Sequence, residues 1–311
     1  MSKAKYLLSI CIPTYNRAEV LGQCIEAIVH HEFAKTGSIE IVVCDNASTD
    51  GTEALMQKYK DVDYVKYYRN KENVGVIYNT IIALDHAQGE FLKLINDHSI
   101  YTPDGLQYLY EQIKANMEER PVLLFRNDGW GVPTEKVCYT LDETVRQTGY
   151  NLTWMGVYGY WKEDWENMQD REAYYDKTFI TIDYLRQMFE RKKKAIVYRA
   201  HYVEMGGMKR TQGGYNFFDV FILQYLNIWN EYVERNIITT DTYKWIKKDL
   251  WEFAFGYTKQ LLIFNKSGNF DVKNGWKILF EHYGKEWYFY ATWMCYPFNV
   301  IKRKIARRKN K

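Results

Sequence analysis

Cysteine is scarce in this chain, and none of it is arranged for chemistry. The five residues (Cys11, Cys24, Cys44, Cys138 and Cys295) are odd in number and form no CxxC pair. A zinc ribbon and a disulfide scaffold are therefore not expected. Cys11 and Cys44 lie inside apolar, strand-like runs, where a thiol behaves as a small buried hydrophobe. No stretch of about 18 residues is both apolar and free of charge, so no membrane-spanning helix is expected. The opening MSKAKYLLSICIPTYNR has a short apolar run but no cleavage-site pattern, and it leads straight into a polar turn; the expectation is a cytoplasmic protein. An excess of either charge is missing too, since 42 Lys and Arg face 39 Asp and Glu, a net charge of +3. With 311 residues, 47% of them apolar and 26% charged, the disordered, collagenous and coiled-coil classes are excluded and about two domains are expected.

Aromatic residues are abundant: 28 Tyr, 15 Phe and 10 Trp. Trp287, Tyr288, Tyr290, Trp293, Tyr296 and Phe298 precede a run that carries Lys302, Arg303, Lys304, Arg307, Arg308 and Lys309. Rings followed by cations suit a peripheral anchor on an anionic membrane surface. No nucleic-acid-binding motif accompanies the basic run, so a nucleic-acid partner is not expected.

The first 126 residues alternate between short apolar runs and helical periodicity. Strands are expected at Leu7–Ile12, Ile39–Cys44, Tyr64–Tyr68, Phe91–Ile95 and Val122–Phe125. Helices are expected at Ala18–His31, Thr52–Tyr59, Val74–Ala87 and Asp104–Glu118. Such alternation predicts βαβ units and a mostly parallel sheet flanked by helices. Ligands of such sheets bind beyond the carboxyl ends of the strands, which directs attention to Pro13–Arg17, Asp45–Gly51 and Asn96–Ser99. From about 127 to 176 the pattern dissolves into aromatic and acidic residues, expected to be an insertion or lid. A helix over Thr181–Arg191, a strand at Ala195–Tyr198, and helices over Phe217–Arg235 and Thr240–Asn265 complete the reading. The expected organisation is a first domain over 1–216 and a helical, aromatic and basic region over 217–311.

Four strand-end segments occur in order: SICIPTYNR (Ser9–Arg17), IVVCDNASTDGT (Ile41–Thr52), NVGVIYN (Asn73–Asn79) and GEFLKLINDHS (Gly89–Ser99). Together they resemble the family-2 inverting glycosyltransferases of the GT-A fold, closely over residues 5–125 and more weakly through a GG…D segment near 206–219. Physical chemistry gives each segment a task. Pro13 ends the first strand and turns Thr14, Tyr15 and Arg17 over the sheet edge, where they can meet a nucleotide. Asp45 can accept a hydrogen bond from a base N–H, the role that the resemblance implies, or cap the helix that follows. Asn73, Gly75 and Asn79 start a helix at the same edge, either as donor contacts or as a plain cap and turn.

In Asn96-Asp97-His98-Ser99, the resemblance places Asp97 at the donor, and His98 where relatives carry a metal-binding aspartate. A nucleotide-sugar donor and Mn2+ or Mg2+ held by Asp97 and His98 are thus implied, although oxygen ligands are the usual choice and imidazole the exception. The other reading is that His98 or Arg17 neutralises the diphosphate without metal. The acid after the Gly-rich turn, Asp219, matches the second acid of the relatives' acidic pair and becomes the expected base, with Phe218 in place of the first. Glu204, Asp164 and Glu163 compete for that role.

The implied function is inverting transfer of a sugar, from a UDP-sugar by default, to a surface glycan or lipid-linked oligosaccharide at the inner face of the plasma membrane. A metal-independent transferase and a catalytically silent, membrane-associated scaffold remain alternatives. A sugar nucleotidyltransferase does not fit, because its Gly-rich opening after the first strand is missing.

Overall fold

A computed structural model describes residues 5–171, 178–206, 213–266 and 269–296. The chain divides into two compact units, Met1–Lys209 and Arg210–Lys311.

The first unit opens with β1 (Leu8–Thr14), α1 (Ala18–Val29), β2 (Ile39–Asp45), α2 (Thr52–Gln57), β3 (Val65–Arg69), α3 (Val76–His86) and β4 (Phe91–Leu94). β1 and β2 are buried at every position, as strands covered on both faces must be, and this is why they read as unbroken apolar runs. Cys11 and Cys44 sit in them as buried thiols. The strands pair in the order β3-β2-β1-β4, all parallel. β2 and β3 are laid down to one side of β1 and β4 to the other, so the order of connection reverses between β1 and β4. Crevices for ligands open at such a switch point. The register sets Thr14 beside Asp45 and Asp45 beside Arg69, while Asn96–His98 come just after the end of β4, past Ile95.

The remainder of this unit contains β5 (Ser99–Tyr101), α4 (Gly105–Ala115), β6 (Val122–Arg126), β7 (Thr134–Cys138), α5 (Leu141–Thr148), β8 (Gly159–Trp161), α6 (Lys162–Glu166), α7 (Ile180–Lys192), β9 (Ala195–Arg199) and β10 (Val203–Met205). Two sequence expectations are corrected here. The fifth strand of the main sheet is β8, antiparallel to β4, whereas β6 joins β9 and β7 in a separate three-stranded sheet. The stretch over 127–176 is also no simple insertion, since it supplies β7, α5, β8 and α6. β8 is too short, at Gly-Tyr-Trp, to show any alternation. α5 did carry a signal: Thr140 and Glu143 form a reciprocal capping box, the ST-x-x-E pattern that marks a helix start.

The second unit contains β11 (Gly213–Asn216), a π-helical turn (Asp219–Gln224), α8 (Tyr225–Glu234), α9 (Thr240–Thr258) with a second π-helical turn (Lys259–Ile263), β12 (Asn269–Asp271) and α10 (Gly275–Tyr283). β11 and β12 pair in parallel. The aromatic abundance is largely core here: Trp229, Trp251, Tyr283 and Phe289 are buried, and the Trp251 ring lies 4.8 Å from Phe289 and 5.2 Å from Tyr283. Among the described residues no helix is long and apolar enough to cross a membrane. Phe298 and the basic run after it lie outside the described residues, as do Gly207 and Met208 of the Gly-rich turn.

The return from α3 to β4 is tight. A Cβ at Gly89 would stand 2.6 Å from Ser9 Oγ and 2.8 Å from Ser9 N, and the Gly89 N–H donates to that same Oγ at 2.7 Å. Ser9 Oγ in turn donates to the buried Glu40 carboxylate at 2.5 Å. Gly89→Ala is expected to lower stability by about 1–3 kcal/mol, the range for overpacking a filled interior, read as a lower denaturant midpoint at unchanged slope. An unchanged midpoint would show that the turn relaxes at no cost.

Candidate active site at the switch point

A cavity of about 430 Å³ opens where β1 and β4 diverge, lined by Pro13, Thr14, Tyr15, Arg17, Asn46, Asn73, Gly75, Val76, Asn79, Asn96, Asp97 and Met155. Of the donor residues expected from the sequence, all but Asp45 line it.

Asp97 is the organising group. Its side chain is 6% exposed, and three neighbours satisfy it: Thr14 Oγ1 donates to Oδ2 at 2.9 Å, Arg17 pairs with Oδ1 at 3.1 Å, and His98 Nδ1 lies 3.2 Å from Oδ1. The end of β1, the turn after it and the end of β4 are thereby tied together. A buried carboxylate tolerates loss of solvent only when it is paired in this way. Arg17 keeps about a third of its side chain exposed and is the only cation among the described residues lining the cavity.

An amide network forms the opposite wall. Asn46 donates to Asn73 Oδ1 at 2.7 Å and accepts from the Val74 N–H at 2.9 Å. Asn70 donates to Asn46 and to Asn79, at 3.1 and 2.9 Å, and Asn79 donates to the Cys44 carbonyl at 2.9 Å. Gly75 opens α3 at φ +85°, a left-handed conformation that glycine adopts without strain. Asn73 and Gly75 thus combine a turn-forming role with a place on the cavity wall. Asn46, Val76 and Met155 are cavity residues that the sequence reading did not single out. Asn46 was legible, standing directly after Asp45 in a quoted motif; Met155, in the aromatic stretch, gave no signal.

Asp45 is fully buried and fully engaged. Tyr67 donates to it at 2.7 Å, the Ser48 N–H at 2.9 Å, and Arg69 pairs with it at 3.5 Å. Burial, and after it this carboxylate, raises the Tyr67 hydroxyl pKa. The helix-cap alternative for Asp45 goes instead to Asp50, which accepts from the N–H groups of Ala18 and Thr52 at 3.0 and 2.9 Å and whose pKa these bonds lower against the opposing effect of burial.

The competing carboxylates separate by environment. Asp164 is buried and paired with Arg191 at 3.2 Å and Lys192 at 3.5 Å; burial raises its pKa against those cations. Glu163 pairs with Lys192 and Arg120, and the Lys192 contact holds its pKa low. Both serve to clamp α6 to α7 and its neighbours. Glu204 is exposed on β10, which pairs antiparallel with β5, Glu204 standing opposite Ile100 and Met205 opposite Ser99; the next N–H, of Gly206, donates to the His98 carbonyl at 2.8 Å. Asp219 belongs to the second unit. It heads the first π-helical turn, its N–H donating to Asn216 at 3.1 Å and its carboxylate accepting from Gln224 at 2.9 Å.

Asp97 and His98 do not, as arranged, fit a divalent cation. They spend facing atoms on each other, Arg17 pairs with the same Asp97 oxygen, and the remaining Asp97 oxygen is held by Thr14. Among the described residues no cluster of three or more His, Cys, Asp or Glu side chains is gathered to hold a metal ion.

The family described as Glycosyl transferase family 2 matches residues 9–203. Abequosyltransferase RfbV of Salmonella typhimurium is 35% identical over 115 residues, 36% of this chain and 34% of that protein. The Campylobacter jejuni GalNAc(5)-diNAcBac-PP-undecaprenol beta-1,3-glucosyltransferase is 34% identical over 111 residues, 35% of this chain and 34% of that protein. The chain therefore spans about a third of the length of these curated relatives. Among solved structures, residues 1–349 of Staphylococcus aureus TarS superpose with a TM-score of 0.52 at 18% identity, covering 86% of this chain and 76% of that one. The mannosyltransferase PcManGT of Pyrobaculum calidifontis, solved with GDP-Man and Mn2+, superposes with the same TM-score at 14% identity, covering 82% and 75%. Motif order, strand order and family match agree: the chain belongs to glycosyltransferase family 2 and has the GT-A fold.

Proposed function

We propose that this protein transfers a sugar from a nucleotide-diphosphate sugar, with a UDP-sugar favoured, to a hydroxyl of a surface glycan or lipid-linked oligosaccharide, with inversion at the anomeric carbon. The observation that carries the reading is the cavity at the switch point, where one accessible cation, Arg17, is held beside neutral amides and a buried carboxylate. One relative's name supports the acceptor class, an undecaprenol-linked oligosaccharide glucosyltransferase, and a structural neighbour supports the donor class, TarS having been solved with UDP-GlcNAc.

In the proposed reaction the acceptor oxygen attacks the anomeric carbon in line with the departing diphosphate. The new C–O bond forms as the bond to phosphate breaks, and its electron pair leaves on the diphosphate oxygen. The acceptor proton goes to a carboxylate base. Arg17 offsets the charge that develops on the leaving group, with Asp97 and Thr14 fixing its position, and no protein-bound cation is required. Mn2+ or Mg2+ at Asp97 and His98 is the second reading, supported by a structural neighbour solved with Mn2+. Arg17→Gln is expected to weaken UDP binding about tenfold or more, the cost of losing a charge-assisted hydrogen bond. EDTA is expected to leave the wild-type Kd within about threefold, a difference of less than about 1 kcal/mol, since in this reading no metal joins the diphosphate to the protein. Calorimetric titration with UDP, CDP, dTDP and GDP reads both results. Binding that collapses under chelation would restore the metal.

Asp219 is the proposed base, supported by its place at the head of a π-helical turn, an irregularity common at functional sites. Glu204 is a second reading, favoured by the β10–β5 pairing that sets it two residues along from the Gly206–His98 bond. Asp219→Asn is expected to lower kcat by about 10²–10⁴-fold, the range for a general base, with donor Kd unchanged. Glu204→Gln is expected to stay near wild type. The opposite pattern would transfer the role to Glu204.

The proposed location is peripheral, at the inner face of the plasma membrane. Trp276, Phe280, Trp287, Tyr290 and Met294 of the second unit are exposed large side chains that precede the basic run in sequence, and rings with cations suit an anionic surface. The full chain is expected to co-sediment with vesicles containing phosphatidylglycerol and to be released by salt; equal binding to neutral vesicles, or none, would refute the anchor.

A further inference from the structure

Lys93 is a charged side chain that the proposed reaction leaves without a task. It lies in β4, is completely buried, and has no carboxylate partner among the described residues. Its ammonium instead donates to three carbonyls, those of Leu94 at 3.1 Å, Tyr158 at 3.2 Å and Gly156, with the rings of Phe125 and Tyr202 at 5.6 and 5.9 Å. Three N–H donors thus meet three acceptors. The placement is expensive, since burial pulls the lysine pKa down from 10.5 to about 7, and a methionine would fill much the same volume without that cost.

What the ammonium holds is the segment 154–158, which provides one wall of the cavity through Met155. This segment belongs to neither the helices nor the sheet of the parallel core; it holds one 3₁₀ turn, Met155–Val157, follows another, Gly149–Thr153, and leads into β8. It is pinned to β4 and its continuation at two levels. Lys93 holds the carbonyls of Gly156 and Tyr158, and two residues beyond the strand Asn96 Oδ1 accepts from Trp154 Nε1 at 2.6 Å. Tyr202 adds a bond to the same Gly156 carbonyl at 2.9 Å. Position 156 must also be glycine for this arrangement, because a Cβ there would stand 2.2 Å from the Trp154 ring. The two ends of Met155 are therefore fixed by contacts that lead back to β4, the strand that delivers Asp97.

Resting on the reading of this cavity as the donor site, we propose that Lys93 and Trp154 are positioning residues for the donor. Neither residue lines the cavity; both act by holding Met155 at a set distance from Asn96 and Asp97, so that the wall is already in place when the nucleotide-sugar arrives. Binding to a wall that must first be ordered loses affinity to the ordering itself.

The test compares wild type, Trp154→Phe and Lys93→Met by calorimetric titration with UDP and UDP-GlcNAc, alongside thermal melting. Trp154→Phe keeps an aromatic side chain at a half-buried position while removing the N–H to Asn96 together with the pyrrole half of the indole, a milder change than replacing the fully buried Lys93, and the melting curve reads its packing cost separately from its effect on Kd. The expected result is a UDP-GlcNAc Kd raised about five- to tenfold in Trp154→Phe, the scale of one hydrogen bond, with a melting temperature within a few degrees of wild type. Lys93→Met, where it folds, is expected to show the same loss of affinity. Wild-type affinity in Trp154→Phe would overturn the proposal, as would a lowered melting temperature with unchanged Kd in Lys93→Met, which would make the lysine structural only. If wild type itself binds neither ligand nor any other nucleotide diphosphate, the donor-site reading fails and this proposal falls with it; binding by wild type and both variants alike overturns the proposal alone.

Discussion

A single buried carboxylate sets the geometry of the cavity. Asp97 follows β4 across the switch point from β1, and the crevice there opens because the two strands lead in opposite directions to their next connections. A crevice is not by itself a site, since its two lips can splay. Asp97 prevents this by drawing one hydroxyl from the last residue of β1 and one guanidinium from the turn that follows. An unpaired carboxylate at this depth would cost several kcal/mol, and breaking a buried pair costs about 3–5 kcal/mol. The lips are held by the penalty for letting them part.

That pairing also fixes the electrostatic character of the cavity. Arg17 and Asp97 offset each other, and the rest of the polar lining is amide and hydroxyl. A diphosphate entering this space meets one cation already oriented by an anion, and a wall of asparagines whose own bonds to one another restrain their rotation. Fixed dipoles of this kind need no reorganisation when charge moves onto the leaving group, which is the condition under which they contribute most to a reaction. Asp45 stands behind this wall. With Tyr67, Arg69 and Ser48 all directed at it, it ties β2 to β3 and to the loop over 46–51, and so supports the Asn46 end of the network from below.

The parallel core was legible in the sequence because burial on both faces leaves continuous apolar runs, and because the polar segments ending them recur at each strand end. Ser9–Arg17, Ile41–Thr52, Asn73–Asn79 and Gly89–Ser99 mark the ends of β1 and β2, the start of α3 and the passage through β4. Nine of the cavity's residues were expected from those segments alone. What was not legible depends on contacts distant in sequence. β8 is three residues long, and only its antiparallel fit against Phe91–Lys93 makes it a strand. β6 reads like a core strand because it is buried, yet the strand it pairs with, β9, comes far later in sequence, beyond β7 and β8, and no local pattern identifies it. The full burial of Asp45 was equally hidden, since the Tyr67 and Arg69 that cover it come from the next strand.

The aromatic stretch beyond residue 126 shows how a shared skeleton acquires a particular site. The parallel strands and their helices need only alternation and short links to form, and these features leave one edge of β4 open. An exposed parallel edge invites unwanted pairing; β8 closes it, and its backbone-led attachment places few demands on side chains other than Gly159, where a Cβ would meet the Phe91 ring at 2.4 Å. Closing the edge brings the preceding residues, Trp154 to Tyr158, up to the cavity as a consequence. The strand that protects the sheet and the segment that shapes the wall are one continuous piece of chain. A substitution that loosens either one therefore disturbs the other, because Lys93 sits under both: its backbone pairs with Gly159 while its ammonium holds the carbonyls of Gly156 and Tyr158.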